Sequence, residues 1–268
     1  EELGLISPGD LAGLYERLEA CNMLADADND RRQPGWRRML HRLVNPDISI
    51  PRADALVTRA YSMSRFFFTP IGLVVLLALG LSGAIPAWQH FEQFKETFVS
   101  MEAALTGNLL IPLLLYVLVL FHVMLHELGH GVVCKHYGGQ VPRLGVMFYL
   151  ATFIFYCDTT ASLNFPRRQR LMVSMGGPIV SFAILGAGLW VAGALAGTSS
   201  PWETVFVVFS IINFFALVMG FNPFIKMDGY YLLSDLAGIP NLRDRSFRFL
   251  QRRLLGRLGF GEDKDLLA

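Results

Sequence analysis

Four long apolar runs, at 66–86, 109–133, 171–196 and 204–223, constrain this chain more than any other feature. Each reaches the ~20 residues that an α-helix needs to cross a hydrocarbon core of ~30 Å. A water-soluble fold could not absorb them without exposing large apolar patches. Composition agrees: 53% of the 268 residues are apolar and only 17% are charged, where soluble domains carry about a quarter. The predicted class is mainly α: a polytopic membrane protein with about four transmembrane helices, a short re-entrant or hairpin segment, and small cytoplasmic helical ends.

The charges between the runs set their direction. Arg31, Arg32, Arg37, Arg38, Arg42, Arg52, Arg59 and Arg65 precede the first run, whereas 88–108 carries Glu92, Glu96 and Glu102 against the single Lys95. Basic loops stay in the cytoplasm, so the amino terminus is predicted inside and 88–108 outside. Segment 141–157 is apolar, aromatic and β-branched, but of intermediate length. A full crossing there would place Arg167, Arg168 and Arg170 outside, so a non-crossing re-entrant segment or hairpin is predicted. The loop 197–203 lacks Lys and Arg. Segment 242–258 mixes Arg243, Arg245, Arg248, Arg252 and Arg253 with Phe247, Phe249, Leu250, Leu254 and Leu255, which reads as a basic amphipathic helix on the cytoplasmic leaflet. Four crossings with both termini cytoplasmic satisfy every loop. The domains are then 1–65, a cytoplasmic helical segment and basic linker; 66–240, the transmembrane domain; and 241–268, the basic helix.

Within 1–65, Leu11, Leu14, Tyr15 and Leu18 repeat with helical spacing behind a Ser7-Pro8-Gly9-Asp10 cap. The polar run 26–35 reads as a linker. Net charge is +1, and its positive residues follow membrane topology, so no nucleic-acid partner is expected. Cys21, Cys134 and Cys157 have no Cys-x-x-Cys spacing and read as small apolar filler. The chain begins Glu1-Glu2 without a basic-then-apolar leader, which predicts a fragment of a longer product without a signal peptide.

The chemistry lies in His126-Glu127-Leu128-Gly129-His130, inside the second run. A helix places His126 and His130 one turn apart on one face, where both imidazoles can reach one Zn²⁺, with Glu127 beside it as general base. A carboxylate at this depth costs several kcal/mol unless it is paired or faces water. A structural hydrogen-bond cluster between helices is the alternative use for the same residues. His122 and Cys134 flank the motif by one turn and read as neighbours. Catalytic zinc commonly takes three protein ligands and a water, and Asp228 is the best candidate for the third, since it follows the inner end of the fourth run on the side of the membrane where His130 lies. Asn222-Pro223 breaks the helix there and frees backbone groups for a peptide substrate. A plain helix stop with a surface turn at Asp228-Gly229 is the alternative.

With these motifs in hand, the chain resembles the site-2 protease family of intramembrane zinc metalloproteases over about 109–235. The likeness rests on His126-Glu127-x-x-His130, on Gly176-Gly177-Pro178 at the start of the following core helix, and on Pro223 with Asp228-Gly229. It implies zinc bound by His126, His130 and Asp228, water activated by Glu127, and a three-helix core made of the second, third and fourth crossings. Many members place an Asn three residues before the proline; here Asn222 adjoins Pro223. The Asn-Pro-x-x-x-x-Asp-Gly-Tyr form looks more like the bacterial branch associated with peptide maturation and export, in the inner membrane. Such proteins often pair with a membrane-fusion adaptor or exporter, and several carry winged-helix modules, whose tail segment 1–65 would be.

The resemblance thus implies an intramembrane zinc endopeptidase that hydrolyses a membrane-associated or exported peptide or protein. Its rival is a metal-containing export component that cleaves nothing. Asn222 and Pro223 are the expected substrate-binding residues.

Overall fold

A computed structural model of the chain describes residues 47–149, 152–198, 200–239 and 241–257. The chain divides into two units. One is Glu1–Asp47 with Phe148–Thr152, described only at Asp47, Phe148, Tyr149 and Thr152, which end strands. The expected amino-terminal helix, the linker and Cys21 lie outside the described residues. The second unit, Ile48–Met147 with Phe153–Ala268, carries all that follows except those strand ends.

Its elements are a short strand β1 (Asp47–Ser49), helix α1 (Ala53–Ser64), a 3₁₀ turn at Arg65–Phe68, then α2 (Pro70–Ser82), α3 (Ala84–Gln89), α4 (Phe91–Val99), α5 (Met101–Gly107) and α6 (Leu110–His136). Strands β2 (Leu144–Tyr149) and β3 (Thr152–Cys157), a 3₁₀ turn at Thr160–Asn164, and helices α7 (Arg167–Leu195), α8 (Pro201–Gly220), α9 (Asp228–Ala237) and α10 (Leu242–Arg257) complete it. Among the described residues, four helical stretches are long and apolar enough to cross a membrane: Pro70–Gln89, Leu110–His136, Arg167–Leu195 and Pro201–Gly220. The mainly α, polytopic class holds.

Local chemistry moves the expected boundaries. The first span starts at Pro70 and not at 66, because Thr69 Oγ1 accepts the Gly72 N–H at 3.0 Å and Pro70 occupies the first helical position. Phe66, Phe67 and Phe68 belong instead to the preceding 3₁₀ turn. The fourth span begins at Pro201 for the same reason, with Ser200 Oγ capping Trp202 N–H. The polar stretch 88–108 is largely helical, as α4 and α5. Segment 141–157 contains two strands in a sheet of order β1-β2-β3. With two residues between them, β2 and β3 can only be antiparallel; Asp158 N–H donates to Arg143 O at 2.8 Å at their open end. That is a hairpin, as one of the two non-crossing forms expected.

Helix α7 packs on α2, α6, α8 and α9. Its backbone meets that of α6 at Gly129 and Gly176: a Cβ built on either would stand 2.7 or 2.6 Å from the other's carbonyl oxygen. Small residues permit this backbone approach in lipid, and it sets the α6–α7 spacing on which the site depends. Beside the carboxyl end of α6, a core of Ala53, Val57, Val132, Cys134, Val141 and Val173 joins α1 to α6, α7 and the start of the hairpin. Lys135 Nζ and Val141 N–H both donate to Asp54 Oδ1, at 2.6 and 2.8 Å.

Candidate metal centre

The carboxyl-terminal half of α6 supplies His126, Glu127 and His130 from one continuous helix of 27 residues. The chain then reverses after α8. Phe221 ends that helix, and Asn222 Oδ1 accepts the Phe224 N–H at 2.9 Å, closing the turn around Pro223. Helix α9 starts at Asp228 itself. Gly229 lies so close to Phe221 that an added Cβ would stand 2.4 Å from its carbonyl carbon, so the reversal requires glycine there. Arg170 Nε donates to Asp235 Oδ1 at 2.8 Å and ties α9 back to α7.

These elements bring the two imidazoles of α6 to a carboxylate about a hundred residues further along the chain. His126 Nε2 stands 3.1 Å from Asp228 Oδ2, His130 Nε2 stands 3.3 Å from Asp228 Oδ1, and the two Nε2 atoms are 3.2 Å apart. A tetrahedral zinc with ligands at ~2.0–2.1 Å separates its donor atoms by about 3.3 Å. The separations here, 3.2 Å between the two nitrogens and 3.1 and 3.3 Å from them to the two oxygens of one carboxylate, are of that size. His126, His130 and Asp228 are also the group whose donor atoms all lie within 4.8 Å of one another among the described residues.

The hydrogen bonds on the far side of each ring strengthen the fit. His130 Nδ1 lies 2.8 Å from Val173 O, which can only accept, so Nδ1 carries a proton and Nε2 of the neutral ring holds a lone pair. His126 Nδ1 lies 2.8 Å from Ser181 Oγ. At 3.1–3.3 Å from the carboxylate, the imidazole nitrogens must share a proton or a cation with it, since facing lone pairs would repel. Burial raises the Asp228 carboxyl, but the two facing imidazoles outweigh it and hold the group below the usual carboxylate range. The side chains of His126, His130 and Asp228 keep 22%, 11% and 24% of their surface exposed, so water can reach them.

Glu127 points one oxygen at the hairpin, where Oε2 accepts the Cys157 N–H of β3 at 3.1 Å. Cys157 fills space: its Sγ sits above Gly131, where a Cβ would stand 2.7 Å away, and burial pushes the thiol up to about 12. His122 and Cys134 stay outside the triad as expected; His122 Nε2 turns to Ser181 Oγ at 2.9 Å, and Cys134 is buried in the core beside it. Asn222 commits its side-chain carbonyl to its own turn, and Pro223 is exposed.

Gly177 is placed differently from the expected helix start. Helix α7 begins at Arg167, so Gly176-Gly177-Pro178 lies about three turns inside it. There Gly177 faces the imidazoles: a Cβ would stand 2.4 Å from His130 Nε2 and 2.6 Å from His126 Nε2. Ser181, Val173 and Arg170 were not singled out from the sequence for these roles. Ser181 carried a usable signal, a polar residue inside an apolar span. The Val173 carbonyl carried none. A cavity of about 580 Å³ beside α6 is lined by Leu125, Leu128, Val132 and His136 and contains no candidate ligand.

Comparison with known proteins agrees with this chemistry. No family model matches the chain, and no solved structure matches it. It is similar to a zinc metalloprotease of Methanocaldococcus jannaschii, 26% identical over 152 residues that make up 56% of this chain and 42% of that protein. The chain therefore spans less than half the length of this curated relative. This distant likeness and the His/His/Asp cluster together support a metalloprotease, and with four apolar helices they support a membrane protein.

Proposed function

We propose that the protein is an intramembrane zinc metalloprotease of the site-2 type, in which His126, His130 and Asp228 hold Zn²⁺ and Glu127 is the general base. The observation that carries this reading is the set of 3.1–3.3 Å separations among two imidazole nitrogens and the two oxygens of one carboxylate. It unites the inner end of one membrane-length helix with the helix that follows another.

Zinc held by His126, His130 and Asp228 would supply Lewis acidity toward a peptide carbonyl and toward the attacking water. The chain's own residues do the rest. Asp228 contributes the one negative charge among the ligands. Glu127 takes a proton from the attacking water and returns it to the leaving amine. Its hydrogen bond from Cys157 N–H holds the carboxylate toward β3. As the last strand of the β1-β2-β3 sheet, β3 offers an edge on which an extended substrate can lie. Asn222 and Pro223, beside Asp228, are proposed to line the substrate path.

His130 lies six residues from the end of α6, ~9 Å along the axis. With the arginine pattern of the loops, this favours a zinc recessed below the cytoplasmic surface of a bacterial inner membrane, with both termini inside. The substrate is then a membrane-associated or exported peptide or protein, and the bilayer itself is a partner. A membrane-fusion adaptor or exporter is the further partner that the family likeness favours.

Glu127→Gln is the decisive variant. It keeps all three ligands, so purified protein is expected to retain about one zinc per chain while cleavage of a membrane peptide disappears. Equal turnover by this variant would sink the mechanism, and zinc retained in a native chain that cleaves nothing would favour the export component instead.

A further inference from the structure

Behind the candidate ligands runs a second polar group, buried in the middle of the spans. Ser181 on α7 is 2% exposed and His122 on α6 is 6% exposed. Ser181 Oγ lies 2.8 Å from His126 Nδ1 and 2.9 Å from His122 Nε2. From α8, Asn213 Nδ2 donates to the Ser181 carbonyl at 3.4 Å; Asn213 is fully buried, and its Oδ1 has no hydrogen-bond partner among the described residues. Polar groups at this depth are costly, and those retained are commonly functional.

A serine hydroxyl has one proton to give. Flanked by two imidazole nitrogens, it donates to one and must accept from the other. His126 Nε2 faces Asp228 and His130 Nε2, so only the form with its proton on Nδ1 leaves a lone pair for a cation. That form donates to Ser181. The Ser181 hydroxyl then donates to His122 Nε2, and His122 carries its own proton on Nδ1. The opposite direction would place an N–H where the metal must bind.

Resting on the metalloprotease reading, we propose that Ser181 is a positioning residue for the zinc site. It selects the metal-binding tautomer of His126 and fixes its ring, His122 is the acceptor that orients the hydroxyl, and Asn213 anchors the segment of α7 that carries Ser181. Neither Ser181 nor His122 touches the metal. Partners of this kind typically contribute 10–100-fold to metal affinity.

The test is chelator competition for Zn²⁺ on the purified full chain in detergent, with the visible absorption of the Co²⁺ form as a second readout. Ser181→Ala is expected to bind zinc 10–100-fold more weakly and to show an altered Co²⁺ spectrum. Ser181→Thr, which keeps the hydroxyl, is expected to restore both. Native-like affinity and spectrum in Ser181→Ala would overturn the proposal while leaving the metalloprotease reading intact. A native chain that binds no zinc would overturn both. Should Ser181→Ala fail to fold, His122→Gln and His122→Leu decide: the glutamine carbonyl can still accept the hydroxyl proton and should keep zinc tight, whereas leucine should weaken it, and equal affinities would refute the positioning role.

Discussion

Gly177 and His130 stand so close that the helix α7 backbone forms a wall of the candidate metal centre: a Cβ on Gly177 would lie 2.4 Å from His130 Nε2. The same Cβ would lie 2.6 Å from His126 Nε2. Both rings can swing away from a methyl group, but only by leaving the positions in which their Nε2 atoms face Asp228. Gly177→Ala is therefore expected to improve helix propensity, by up to about 1 kcal/mol, while lowering zinc affinity at least tenfold. Thermal unfolding of the metal-free protein and chelator competition measure the two effects separately. Unchanged affinity would show that the rings sit elsewhere when metal is bound.

Arg170 and Asp235 should matter for the metal although neither reaches it. Their 2.8 Å bond holds α9, whose first residue is Asp228. Arg170→Gln and Asp235→Asn are each expected to weaken zinc binding severalfold. Their double variant should show a coupling of about 1 kcal/mol, in the range for residues in direct contact. Additive effects would mean that α9 is placed by other contacts.

Asp54 gives a pH dependence away from the centre. Its carboxyl is held below the ordinary value of 3.8, first by the hydrogen bond from Lys135 and then by the Val141 N–H. A depressed carboxylate stabilises the fold above its unfolded value, and that contribution fades as pH falls through the folded one. Asp54 is 45% exposed, so solvent screening limits the contribution to about 1 kcal/mol or less. The melting temperature of the native chain should exceed that of Asp54→Asn at pH 7, with the gap closing below about pH 4. A gap that persists at pH 3 would assign the difference to shape and not to charge.

Topology can be read by labelling in whole cells. Gln93→Cys, in α4 between the first two spans, is expected to react with an impermeant thiol reagent added outside, and Arg168→Cys, at the start of α7, is expected to be protected. The opposite pattern would invert the chain and remove the case for a cytoplasm-facing site.

The sequence by itself determined the class of fold and the residues with reactive groups. Length and apolarity decide membrane crossing almost without tertiary context, because the bilayer is a fixed solvent of fixed thickness. Helical periodicity likewise decides that His126 and His130 share a face. The pairing of Asp228 with them over about a hundred residues was only a candidate, since a helix stop at Pro223 fits a surface turn equally well. Tertiary structure decided it, through the reversal at 221–227, the bare glycine at 229 and the Arg170 tie. Segment 141–157 could not be resolved between hairpin and re-entrant segment, because a short apolar run has no distinguishing period; the pairing of β2 with β3 settled it. Least legible were Val173, Ser181 and Gly177, whose roles are a carbonyl, a hydroxyl and an absent side chain. Each depends on α7 lying against α6 at the Gly129–Gly176 contact, and contacts between helices are set by packing in three dimensions, which no local pattern encodes.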